Sequence, residues 1–190
     1  KRFAQVLVSQ ADPRKPEQYA LVIATIWHLA YNETASKSLV GVGVVGTLAI
    51  AAKSTDRKIL DHAVGAVVNL SFYLDSAFIF EAGILKTLLD LLLNETADPE
   101  TRKLAATALS NLSNDPAGQK KLVEELIQAG QTTASSSSSA ASAASAAGAA
   151  ENGTETAAEK LVALTGSADS KLKSQAMRIA WFLTEDEVAT

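Results

Sequence analysis

The sequence predicts an all-α fold in which helices stack copy upon copy into an elongated array. Three observations lead there. Apolar residues recur at helical spacing, as in Leu104, Ala105, Ala108, Leu109 and Leu112, with Lys103, Thr107, Asn111 and Asn114 on an adjacent polar face. Helix-start signals recur between them: Asp98 is placed to cap, Pro99 suits the first helical position, and Glu100 suits the positive end of the helix dipole. Finally, the chain matches itself at a fixed period. The leucines Leu29, Leu70 and Leu112 lie 41 and 42 residues apart, and Leu183 follows after 71.

The clearest unit is Gly83 to Asp115. Its first helix, Ile84 to Leu93, carries Ile84, Leu85, Leu88, Leu89, Leu91, Leu92 and Leu93, too many apolar side chains for one face, so it must lie inside a stack. Its second is the striped helix described above. Earlier in the chain, RFAQVLVSQ and PEQYALVIATIWHLAYN read as an apolar helix and its striped partner. ETASKSLV and SAFIFEA read as short helices closed by Gly43 and Gly83, each followed by an apolar helix. The capping role of Asp98 recurs at Asp56 and Asp169.

After KKLVEELIQAG, whose Gly130 is expected to close the helix, the period is broken by about 29 extra residues. They include a Ser/Ala-rich tract with no large apolar side chain, so residues 131–157 read as a flexible insertion inside the last unit. Phosphorylation of its serines is a regulatory alternative. Periodicity resumes with KLVALT and SADSKLKSQAMRIAWFL. The units therefore run near 1–31, 33–74, 76–115 and 117–185. Neither end carries the polar cap that a free-standing repeat array requires, which predicts a section of a longer array.

Composition narrows the function classes. The 190 residues carry a net charge of −4, so no global pull toward nucleic acid or an anionic membrane is implied. The chain has no cysteine, which removes disulfides and thiolate chemistry and fits a reducing compartment, cytoplasmic with the nucleus as an alternative. No apolar run reaches the roughly 20 residues of a membrane-spanning helix. The glycines of GVGVVG, Gly41, Gly43 and Gly46, fit a GxGxxG pattern, but no buried strand precedes them, so nucleotide binding is not expected.

His28 and His62 form no ligand spacing with carboxylates; His62 aligns with Leu104 and reads as a satisfied core or boundary residue. Sequons begin at Asn32, Asn69, Asn94, Asn111 and Asn152, and nothing supports the secreted context that glycosylation needs. No nucleophile with base and orienter is found, and no cofactor or metal is expected.

The residues EAGILKTLLDLLL, Asp98, ATALSNLS and IQAG, with weaker copies in VGVVGTLAIAA, AVGAVVNLS, ATIWHLA and MRIAWFL, resemble the armadillo repeat. The resemblance spans nearly all of the chain except the Ser/Ala tract. It implies a right-handed superhelix of three-helix repeats whose third helices line a concave groove holding an extended partner segment. It also implies an adaptor or scaffold without catalysis of its own.

Applying the period to the polar face gives aligned columns. Glu17, Lys58, Glu100 and Lys171 form the first, and Ala20, Asp61, Lys103 and Ser174 the second. Ala24, Gly65, Thr107 and Arg178 come next, then His28, Asn69, Asn111 and Phe182, and last Tyr31, Phe72, Asn114 and Glu185. The four cations and four anions cancel.

Armadillo grooves commonly use an Asn column to hydrogen-bond the peptide backbone, and Asn69 and Asn111 match it; helix bridging is the other reading of these amides. Nuclear-import adaptors also carry Trp one turn earlier, where this chain has Ala24, Gly65, Thr107 and Arg178, so that role is disfavoured. Trp27 and Trp181 precede the Asn column and fall on a different side of the helix. Aromatic residues gather near His28 as Trp27, Tyr31, Phe72 and Tyr73, read foremost as packing between repeats and secondarily as a partner anchor.

The expected partner-binding set is His28, Tyr31, Asn69, Phe72, Lys103, Thr107, Asn111, Asn114 and Arg178, with a protein or peptide segment as partner and no nucleic acid or membrane insertion. Two rivals remain: a structural strut in a large assembly, and the targeting region of a larger enzyme such as a ubiquitin ligase.

Overall fold

Apolar helices that cannot hide their own surface dictate the architecture. The structure, a computed structural model, describes residues 2–74, 76–80, 83–138 and 156–185. Among these residues it is all helical. The elements are α1 (Arg2–Ser9), α2 (Pro16–Leu29), α3 (Glu33–Val40), α4 (Val44–Ala51), α5 (Arg57–Tyr73), α6 (Ser76–Phe80), α7 (Ile84–Leu93), α8 (Pro99–Leu112), α9 (Pro116–Ser138), α10 (Ala157–Leu164) and α11 (Ser170–Glu185).

The helices recur in threes and stack into a solenoid. The striped helices α2, α5, α8 and α11 pack in series, each on the next, and the apolar α4 and α7 lie behind α5 and α8. Within α7, Ile84, Leu88 and Leu92 are wholly buried while Leu85 and Leu89 are nearly so, as a helix apolar on more than one side requires. Ile26, Leu70, Leu109 and Ile179 continue the core from one striped helix to the next.

Local chemistry sets the boundaries. Asp56 accepts hydrogen bonds from the Lys58 and Ile59 amides, Asp98 from Glu100, and Asp169 from Lys171 and Leu172, so all three expected caps are formed. Gly43 and Gly83 adopt φ of 80° and 67° at the starts of α4 and α7, a left-handed conformation that side chains disfavour. At the first of these corners α3 and α4 meet at 88°. The segment matching GxGxxG is this helix corner, with no strand before it.

Asn32 caps α3 through the Ala35 amide, and Asn94 accepts from the Thr96 amide in a tight turn, which gives two of the sequon asparagines structural work. Asp115 was not among the expected caps. It receives the Gly118 amide at the start of α9 and also the Ser76 hydroxyl and amide, tying α6 to α9.

Two expectations change at the last unit. Helix α9 does not stop at Gly130 but continues through Gln131–Ser138, so the first eight residues of the expected flexible insertion are helical. A single interior glycine costs only about 1 kcal/mol, and the alanines and glutamines around it favour helix. Residues 139–155 of that insertion lie outside the described residues. The chain re-enters at Thr156, whose side chain and Glu159 form a reciprocal capping box that starts α10. The T-x-x-E signal was present in the sequence as Thr156 to Glu159.

Candidate functional site

The polar faces of α2, α5 and α8 form one continuous wall because the period that repeats the core also repeats the face. The expected columns come together, and side-chain bonds link them rung to rung. Asn69 Nδ2 donates to the Trp27 carbonyl at 3.3 Å, and Asn111 Nδ2 donates to Ser71 Oγ at 3.1 Å. Tyr73 OH donates to the Tyr31 carbonyl at 3.0 Å. Each bond reaches back one repeat. Both asparagines are half-buried and therefore bridge helices, while an amide with two donors and an acceptor retains capacity for more than one bond.

A second set of rungs is ionic. Arg57 lies 2.6 Å from Asp98 and 3.3 Å from Asp61, while Thr101 Oγ1 donates to Asp61 at 2.5 Å. Lys103 Nζ sits 2.7 Å from Asp169 and 2.8 Å from Glu100. The Lys103 hydrogen bond holds the Asp169 carboxyl below the usual carboxylate range, helped by the Leu172 amide, and the same bond raises Lys103. Lys103, expected as a partner contact, is thus committed to the α8–α11 junction. Arg178 donates to Asn114 across that junction, and Thr107 Oγ1 bonds its own helix at the Lys103 carbonyl.

The aromatic cluster divides into two populations. Trp27 is half-buried and stacks on His28 and on His62 with ring centroids 5.0 Å apart in each case. Its indole also covers Gly65: a Cβ there would lie 2.9 Å from Trp27 Nε1. The Trp expected on a different side of the helix therefore leans over the next repeat, in the place that a side chain at position 65 would take. His62 is a boundary residue as expected but not a satisfied one. Stacking engages its ring face, and its buried Nδ1 has no hydrogen-bond partner among the described residues.

Tyr31 and Phe72 behave oppositely. They are 60% and 74% exposed, too open to serve mainly as packing. Phe72 stands edge-on to Tyr73 at 5.1 Å and 86°, and Tyr73 in turn grips Tyr31. His28, Asn114 and Arg178 are also exposed, whereas the side chains of Phe182 and Glu185 lie outside the described residues. Ser71 was missed in sequence, and Tyr73 was named in the aromatic cluster but not as a bridge between repeats. The signal for Ser71 was the NLS ending shared by α5 and α8, which places a hydroxyl two residues after the Asn, about one period from the next Asn.

Comparison with known proteins agrees with this geometry. The profile of the armadillo/beta-catenin-like repeat matches residues 76–114. The fold is that of an armadillo-type solenoid. A designed armadillo repeat protein superposes with a TM-score of 0.71 at 21% identity, over 94% of this chain and 63% of that one. A crystal structure of an engineered protein gives 0.70 at 23%, over 95% and 62%. Computationally designed armadillo repeat proteins for modular peptide recognition give 0.63 at 17%, over 94% and 81%. The chain thus spans less than two thirds of the length of the first two. Comparison with the curated proteins finds no match. Among the described residues, no acidic or histidine cluster suited to a metal is present, and no single helix is long and apolar enough to cross a membrane.

Proposed function

We propose that the armadillo array is a non-catalytic interaction module that holds an extended protein segment along the concave face of α2, α5 and α8. The fold is that of a protein-binding repeat scaffold, and the observation that carries the finer reading is the register of Asn69 with Asn111. Two side-chain amides one repeat apart, each anchored through Nδ2, present fixed polar groups to a strand whose own backbone is unpaired. A designed armadillo repeat protein has been solved in complex with the peptide (KR)4, with a TM-score of 0.56 to this chain, which supports a peptide as the class of partner. The unit boundaries near 1–31, 33–74, 76–115 and 117–185, with the 131–157 insertion carried by the last, set the groove's period. A reducing compartment, cytoplasmic or nuclear, suits the chain.

The test is Asn69→Ala with Asn111→Ala, measured against a pulled-down partner. Binding is expected to weaken at least about tenfold, the worth of roughly one hydrogen bond. Unchanged affinity in a correctly folded double variant removes the groove reading.

The inter-repeat ladder favours one rival, a stiff strut whose contacts lie on the outer helices. Crosslinks confined to the convex surface of the intact complex would support it. Sequencing the flanking open frame addresses the other, a targeting region within a larger enzyme.

A further inference from the structure

We infer that the segment this groove holds is uncharged and is anchored by an apolar, preferably aromatic, side chain seated against Tyr31 and Phe72. This rests on the groove reading above and names the chemistry of its occupant. Positions 24, 28 and 31 on α2, 65, 69 and 72 on α5, and 107, 111 and 114 on α8 line the centre of the wall, and none is Lys, Arg, Asp or Glu.

The nearest charges are already engaged. Asp61 holds Thr101 and Arg57, Lys103 holds Asp169 and Glu100, and Arg178 is bonded to Asn114. A ligand ammonium or carboxylate brought to this stretch would lose water without gaining a counter-charge, or would have to break a rung to find one. An uncharged segment meets neither cost.

The apolar preference follows from the two exposed rings and from how they are held. Phe72 packs edge-on against Tyr73, whose hydroxyl bonds the Tyr31 main-chain carbonyl, and the Tyr31 ring lies 6.3 Å from that of Trp27, so both anchors have protein neighbours before any ligand arrives. Preorganised aromatic surface of this kind loses little freedom on binding and gains from burial. Beside it, the half-buried amides of Asn69 and Asn111 serve the backbone of the segment, leaving its side chain to the rings.

The experiment is selection of a random peptide library displayed on phage against the intact chain, with parallel selection against the Asn69→Ala, Asn111→Ala variant. The expected peptides are near neutral, share an aromatic or large aliphatic position, and are lost on that variant. Their affinity should change less than about twofold between about 50 and 500 mM salt, because no long-range charge is involved. It should fall about tenfold or more in Tyr31→Ser with Phe72→Ser, two exposed positions whose replacement leaves helical circular dichroism intact.

Asn-dependent peptides rich in Lys and Arg, or in Asp and Glu, would overturn the inference and leave the groove reading standing. Peptides indifferent to the Asn variant, or no enriched peptide at all, would remove both.

Discussion

Gly65 shows how one missing side chain organises its surroundings. Its absent Cβ is the space into which the Trp27 indole leans, and the same indole stacks on His28 and on His62. A helix interior normally gains up to about 1 kcal/mol when Gly becomes Ala. Here the new methyl group meets a ring already stacked on His28 and on His62, so Gly65→Ala is expected to destabilise by about 1–2 kcal/mol through overpacking. In a Trp27→Ala background the sign should reverse, with Gly65→Ala stabilising by roughly 0.5–1 kcal/mol. A double-mutant cycle by urea denaturation reads this directly. Additive effects would mean that the ring does not fill that space.

At the scale of the element, the junction of α8 with α11 depends on ionisation. Asp169 caps α11 and receives Lys103, and these bonds hold its folded-state carboxyl below the unfolded value. Its contribution is therefore fully present above the ordinary Asp range near about pH 4 and is lost as pH falls through the lower folded value. Lys103 is shifted upward, so its contribution is present below the ordinary lysine range near about pH 10 and is lost as pH rises through the folded value. Asp169→Asn keeps a good capping side chain but removes the charge. It should flatten the acid limb of the melting temperature below about pH 4. The wild-type slope surviving in this variant would show that other carboxylates govern acid unfolding. Removing a cap outright is a separate effect: Asp98→Ala is expected to cost about 1 kcal/mol, measured by chemical denaturation.

Across the whole molecule, stability is distributed along a line. The striped helices pack in series, so each repeat depends chiefly on its neighbours. Leu70 is wholly buried in the second of these helices, and Leu70→Ala should cost about 2–5 kcal/mol. In a nearest-neighbour array the loss is local. Hydrogen exchange should accelerate most in α5 and next in α2 and α8, with α11 least affected. Uniform acceleration from α1 to α11 would instead indicate one global cooperative unit.

Much of this architecture was legible in the residues because the signals were local and repeated. The apolar run of α7, the caps Asp56, Asp98 and Asp169, and the glycines that close short helices each act within a few positions, and their recurrence every 41 or 42 residues specifies stacking. The end of α9 was misread because Gly130 is only a weak local stop, and Gln131 and Ala134 beyond it are good helix formers.

The polar wall was half legible. Periodicity aligned Asn69 with Asn111, but a column carries no information about which neighbour each amide reaches. Tertiary packing alone decided that Asn111 bonds Ser71, that Lys103 is committed to Asp169, that Trp27 covers Gly65, and that Phe72 stays open. Those outcomes depend on the distance and tilt between successive repeats. A linear pattern fixes which face a residue occupies, while the packing of one helix on the next determines whether that face meets protein or solvent.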